Sequence, residues 1–211
     1  MAQFIPPDRP VERLVRCVFG LVLFGIGISM LIDSDLGAAP WDVFHTGVSD
    51  LTGISVGNIV IITGIALLLL WIPLRERPGL GTLLNAVVIG IVVDISLPLI
   101  PDTDRLAPRL LLVVGGVVIT ALGSGYYIGA GLGPGPRDGL MTGLSKRHIS
   151  SYSISIRAAR TSVEIIVLAV GIALGGAIGI GTAVFAIGIG PLVQVFLPRL
   201  TMAPATVVAP A

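Results

Sequence analysis

The sequence predicts an all-α polytopic membrane protein. Six transmembrane helices form two inverted-topology three-helix repeats, each with a short re-entrant or interfacial helix after its first span. Three observations predict this. The 211 residues have a mean hydropathy of +1.00 and only 12% charged residues, about half the share of a soluble domain. Several apolar stretches reach the roughly 20 residues that a helix needs to cross a hydrocarbon core. The sequence also repeats itself at a fixed offset, carrying Gly, Pro, Asp and Thr along with the apolar positions.

In chain order the predicted spans are residues 11–32, 54–74, 79–100 and 108–128, with a fifth and sixth sharing the stretch 153–197. The cluster Gly175, Gly176, Gly179 and Gly181 is the expected turn between the last two. A cleaved signal peptide is the alternative for the first span, which follows Arg9, Arg13 and Arg16. Membership of that span in the repeat argues for the fold instead. Residues 1–211 therefore read as one integral domain, with repeat 1 over about 11–101, repeat 2 over about 107–199 and a disordered Pro/Ala-rich tail over 200–211.

Orientation follows Lys and Arg. They lie in the N-terminal segment, in the second connection (Arg75, Arg77) and in the fourth (Arg137, Lys146, Arg147), while the first connection holds Asp33, Asp35, Asp42 and Asp50 and the third is neutral, with Asp102 and Asp104 beside Arg105 and Arg109. Both termini are thus expected on the cytoplasmic side of the membrane. The net charge of +1 argues against a nucleic-acid partner. Cys17 stands alone and no Cys/His cluster occurs, so neither an internal disulfide nor a metal or other cofactor is expected.

At an offset of 96, residues 13–49 fall on 109–145 with 14 identities in 37, and at an offset of 100, residues 79–98 fall on 179–198 with nine in 20. Gly20/Gly116, Gly27/Gly123, Gly37/Gly133, Pro40/Pro136, Asp42/Asp138, Gly79/Gly179, Thr82/Thr182 and Gly90/Gly190 are among the pairs. Three spans per copy is an odd number, so the second copy enters the bilayer from the opposite side, as in many secondary transporters.

The stretches "DLGAAPWDVFHTG" and "GLGPGPRDGLMTG" are the two copies of one motif. Gly37 and Gly133 break a helix. Pro40 and Pro136 suit the first position of a new one, where no N–H is needed. Asp42 and Asp138 in the first turn complement its positive end. Short helices are expected over 40–50 and 136–146. Re-entrant placement would aim their polar ends at an interior site. Interfacial placement, with Trp41 and Tyr127 as headgroup anchors, is equally open. His45 and His148 read as interfacial polar residues. The Gly-rich run 129–139 lacks the Lys-Ser/Thr ending of a phosphate loop and follows no strand.

Ionisable residues inside spans are functional candidates. Only 34 uncharged residues, 165–198, precede Arg199, so the fifth span must include Glu164 and extend toward Arg160 and Arg157. Arg160 and Glu164 are spaced i,i+4, which suits either a structural bridge or a substrate or proton role. Asp94 and its counterpart Gln194, with Asn85 three turns earlier, suggest a shared polar site. The candidate substrate or ion residues are therefore Asp42, Asp138, Asp94, Asn85, Glu164 and Arg160.

"SDLGAAPWDVFHTGVS", "PGLGT…N…IG…D" and "LGGAIGIGT…GP" together resemble the YczE-type bacterial membrane proteins, related to the YitT group, over about residues 13–198. The resemblance implies a bacterial multi-pass membrane protein and supplies no substrate or catalytic residue. The residues themselves lead to a small-solute transporter or channel-like protein embedded in the lipid bilayer. Its small-molecule cargo is unknown and it has no ATPase motif; a homo-oligomer is one possible state. The alternatives are a non-transporting accessory or scaffold protein and a substrate-binding membrane subunit of an uptake system. No Ser/His, Cys/His or metal constellation points to an enzyme.

Overall fold

The computed structural model describes residues 6–145, 148–149, 152–153 and 155–202. Lys146, Arg147 and tail residues 203–211, expected in a cytoplasmic loop and a disordered tail, lie outside the described residues. The helices are α1 (Pro10–Asp33), α2 (Pro40–Thr52), α3 (Val56–Leu74), α4 (Leu80–Ser96), α5 (Leu106–Gly129), α6 (Pro136–Ser145), α7 (Ile156–Ala173) and α8 (Ile180–Leu200). A 3₁₀ turn, Leu97–Leu99, extends α4, and two-residue strands β1 (His148–Ile149) and β2 (Tyr152–Ser153) pair antiparallel after α6.

Five helices are long and apolar enough to cross a membrane: α1, α3, α4 with its 3₁₀ turn, α5 and α8. Helix α7 has 18 residues and carries Arg157, Arg160 and Glu164; it is not among the five. The two short helices begin at Pro40 and Pro136, where the motif puts them. Gly175, Gly176 and Gly179 lie between α7 and α8, whereas Gly181 belongs to α8. The β1–β2 ribbon was not legible in the pattern.

Small residues bring the helices together, since lipid supplies no hydrophobic drive for helices to associate. On α1 and α5, Gly20 faces Gly123 and Gly27 faces Gly116; a Cβ on Gly20 would stand 2.7 Å from the Gly123 carbonyl, and one on Gly27 2.8 Å from that of Gly116. These pairings run antiparallel. By contrast α4 runs parallel to α1, with Gly25 near Ile89 and Val92 and the Ser29 hydroxyl facing the Val93 carbonyl. Helix α8 runs parallel to α5 in the same way, with Gly188 against Val117 and Gly125 against Phe196 and Leu200.

The contacts follow the repeat. The Gly181 N–H donates to the Leu36 carbonyl at 2.7 Å, and the Gly81 N–H donates to the Leu132 carbonyl at 2.8 Å. Each break segment thus docks on the first turn of a helix in the other repeat. Gly37 and Gly133 hold φ of +99° and +119° there, a conformation that glycine alone adopts without strain. The Thr82 and Thr182 hydroxyls accept the Gly79 and Gly179 N–H groups.

Two helix pairs at corresponding places in the chain pack differently. Helices α3 and α4 pack tightly, with Gly57 and Gly90 backbone to backbone. Among the described residues, α7 and α8 barely touch. Gly190, the counterpart of Gly90, has nothing within 4 Å of where a Cβ would stand.

Candidate functional site

The two short helices start in the middle of the molecule and run outward. Gly47 of α2 lies against Gly171 and Leu174 near the end of α7, while Gly143 of α6 lies against Leu74 at the end of α3. Trp41 and Arg137, the equivalent middle residues of Pro-x-Asp, stack on each other with the guanidinium carbon 4.9 Å from the ring centroid. Helices lying at opposite interfaces would stand about 30 Å apart, so this contact is incompatible with interfacial placement on opposite faces. Trp41 and Tyr127 are therefore not headgroup anchors: they are 6% and 4% exposed and line the interior. His45, expected at the interface, is fully buried. Arg137, assigned above to a cytoplasmic loop, lines the same interior.

Around this stack lies a cavity of about 150 Å³, large enough for several waters or a small polar solute. Its lining comes largely in repeat-related pairs: Phe24/Thr120, Ile28/Ser124, Trp41/Arg137, Asp42/Asp138, Asn85/Phe185 and Ile89/Ile189. Arg160 and Glu164 of α7 complete it beside the open α7–α8 side.

Asp42 is 1% exposed, and its Oδ1 lies 3.4 Å from His45 Nδ1. Asp138 accepts the Tyr127 hydroxyl at 3.2 Å. The Thr46 and Thr142 hydroxyls, another repeat pair, donate to the carbonyls of Asp42 and Asp138, each at 2.9 Å. Arg160 Nε donates to Glu164 Oε1 at 3.0 Å, closing the predicted bridge. Arg137 has no side-chain hydrogen bond or ion pair among the described residues; the charges acting on it are Asp42, Asp138 and Glu164. Three carboxylates thus face two guanidinium groups, leaving one negative charge in excess. Trp41 Nε1 and Thr120 Oγ1 are buried without a hydrogen-bond partner.

A second cavity, of about 20 Å³, lies next to the first and shares Asn85, Ile89 and Arg137 with it. His45 and Thr63 are among its other lining residues, and His45 Nε2 is buried and unpartnered.

Of the predicted residues, Asp42, Asp138, Asn85, Glu164 and Arg160 come together at the first cavity, Pro40 lines it, and Pro136 lines the second. Asp94 does not join them. It accepts the Ser55 hydroxyl at 2.6 Å and the Gly57 N–H at 2.7 Å. Its carboxylate satisfies the first turn of α3, where free N–H groups and the helix dipole draw a negative charge. Sequence reasoning missed Arg137, Thr120 and Ser124. Arg137 carried a signal, since it occupies the one variable position inside the repeated Pro-x-Asp.

The chain matches the family model described as a family of unknown function (DUF6198) over residues 11–198. It is 37% identical to an uncharacterized protein of Haemophilus influenzae, covering 89% of this chain and 84% of the relative. It is 34% identical to the uncharacterized membrane protein YczE of Bacillus subtilis over 89% of this chain and 88% of the relative. With the uncharacterized protein YyaS of Bacillus subtilis it shares 32% identity, over 85% of this chain and 89% of the relative. No solved structure is significantly similar to it.

Proposed function

The chain belongs to the DUF6198 family of membrane proteins, and we propose that it is a small-solute transporter whose site is the cavity between two inverted repeats. The observation that supports this reading is the lining: residues related by the sequence repeat surround one cavity that holds charged side chains, as expected of a site on a pseudo-two-fold axis. Inverted-repeat transporters build their sites there, from the N-terminal ends of broken helices.

What supports six crossings is helix direction. Helix α8 runs parallel to α5, so the chain has to return across the layer between them, and α7 is the helix available for the return. Its Arg160–Glu164 pair faces the cavity rather than standing unpaired in lipid. With six crossings both termini lie on one side, and the arginines near the N-terminus favour the cytoplasm. The contrast between packed α3–α4 and separated α7–α8 fits one state of an alternating-access cycle, with the mirrored pairing as the other. An accessory protein would be expected to have a dry, packed interior; buried polar atoms left unpartnered around a cavity speak against that.

The test is flux in proteoliposomes across a panel of amino acids, amines and small organic acids. Transport is expected to be lost in Asp42→Asn, Asp138→Asn and Arg137→Gln and kept in Asp94→Asn. Wild-type flux in the first three variants would rule out this site. Absence of flux in the wild type, together with capture of a stable membrane partner, would favour the accessory role.

A further inference from the structure

We propose that Asp42, His45 and the small cavity behind them form a proton-binding relay that joins the two cavities. An ionised carboxylate only accepts hydrogen bonds. Facing Asp42 Oδ1 at 3.4 Å, His45 Nδ1 therefore carries the ring's proton. Nε2 is then a bare lone pair, buried and without a partner, on a residue that lines a cavity of about 20 Å³. A buried water needs roughly 10–15 Å³ of such space and two to four polar partners. The second cavity offers room for one water, with His45, Thr63, Asn85 and Arg137 among its lining residues.

A proton delivered by that water bonds to Nε2. The imidazolium releases its Nδ1 proton to the Asp42 carboxylate, leaving a neutral ring in the other tautomer and a neutral Asp42 facing the first cavity. One proton has entered and none is lost. This matches the charge imbalance: with Arg160 and Glu164 paired, Asp42 and Asp138 share Arg137, and one added proton neutralises the set. The charged groups around the relay are Asp42 on its own helix, Arg137 and Asp138 at the start of α6, and Arg160 and Glu164 on α7; α3 presents Thr63 and α4 presents Asn85. Coupling of this proton to a solute rests on the transporter reading. The proton site itself does not.

The chain has two histidines and two tryptophans, which makes both readouts clean. Full-length protein with ¹⁵N-labelled histidine and His148→Gln, in lipid nanodiscs, reports His45 alone. The expected spectrum shows an Nδ1–H tautomer near neutral pH, a change on acidification toward about pH 5, and loss of that change in Asp42→Asn. The Trp41 ring lies 6.4 Å from His45, so in Trp71→Phe the emission of the remaining tryptophan should change on acidification, and His45→Gln should remove that change. An Nε2–H tautomer near neutral pH, a resonance that does not respond to pH, or the same response to sodium as to protons overturns the relay. If His45 titrates with Asp42 but no solute of the panel moves, the relay stands and the transport reading falls. Solute flux unchanged by pH, and by His45→Gln, overturns the coupling while leaving transport intact.

Discussion

Gly90 is the perturbation that separates a static scaffold from a two-state machine. In the packed α3–α4 pair, a Cβ on Gly90 would stand 2.5 Å from Ile61 Cγ1 and closer still to the Gly57 carbonyl oxygen. Gly57 and its neighbourhood are also held by Asp94, through the Ser55 hydroxyl and the Gly57 N–H. Gly90→Ala therefore has to push two helix backbones apart. Overpacking of this kind costs about 1–3 kcal/mol, and the better helix propensity of alanine returns about 1 kcal/mol. The net penalty on the α3–α4 closure is about 0–2 kcal/mol, a shift of up to roughly 30-fold in a two-state ratio. Gly190→Ala meets nothing in the present arrangement and should leave it intact or slightly favoured.

The assay is crosslinking with a short dithiol reagent, in a background with Cys17 replaced. Cysteines at Ser55 and Asp94 report the α3–α4 closure, because those side chains touch at 2.6 Å. Their counterparts at an offset of 100, Ser155 and Gln194, report the mirrored closure of α7 on α8. Ser155 caps α7 by accepting the Ala158 N–H, as Ser55 caps α3 by accepting the Asn58 N–H. In the wild type the first pair should crosslink and the second should crosslink little. Gly90→Ala should raise the second at the expense of the first. Equal yields with and without Gly90→Ala would refute the idea that these closures alternate.

Two further substitutions test the packing that holds the site. Gly139→Ala places a Cβ inside the Trp71 indole and threatens the Trp71 Nε1–H bond to the Pro136 carbonyl at 3.0 Å; a loss of about 1–3 kcal/mol should lower the thermal melt, with partial recovery in Gly139→Ala/Trp71→Phe. Arg13 is 4% exposed, donates to the Ala130 carbonyl at 2.7 Å and pairs with Asp8, so Arg13→Ala should cost about 1.5–3 kcal/mol. Its repeat counterpart Arg109 pairs with the exposed Asp35, and Arg109→Ala should cost less than about 1 kcal/mol. Equal melting shifts for the two arginine variants would contradict this.

Most of the helices were legible because the residues that build them are forced. Close crossings at Gly20, Gly27, Gly116 and Gly123 leave no room for a side chain, and the docked segments need glycine at 37 and 133. The Asp pair was legible for the same reason, as part of a helix start. What could not be read was where polar residues point. Asp94 and Asp42 look alike in sequence, each an acid among apolar residues, yet one caps α3 and the other faces the cavity. The separation of α7 from α8 was not legible either. Helix α7 carries Arg157, Arg160 and Glu164 where α3 has Gly57, Val60 and Gly64, and hydropathy alone does not say which neighbour such a helix packs on.

On the proposed transporter reading, the chemistry belongs at positions where the copies differ. A cavity on a pseudo-two-fold axis with identical residues from each repeat would present the same groups to both sides. Asp42 and Asp138 do that, and they set its charge. Direction has to come from unequal pairs. Arg137 stands opposite Trp41, Thr120 and Ser124 opposite Phe24 and Ile28, and Asn85 opposite Phe185. His45, whose counterpart is Met141, gives Asp42 a proton partner, while Asp138 has Tyr127 instead. The two acids therefore occupy matching positions in the motif with unlike neighbours: the proposed relay would hand a proton to Asp42 from His45, whereas Asp138 accepts a hydrogen bond from the Tyr127 hydroxyl.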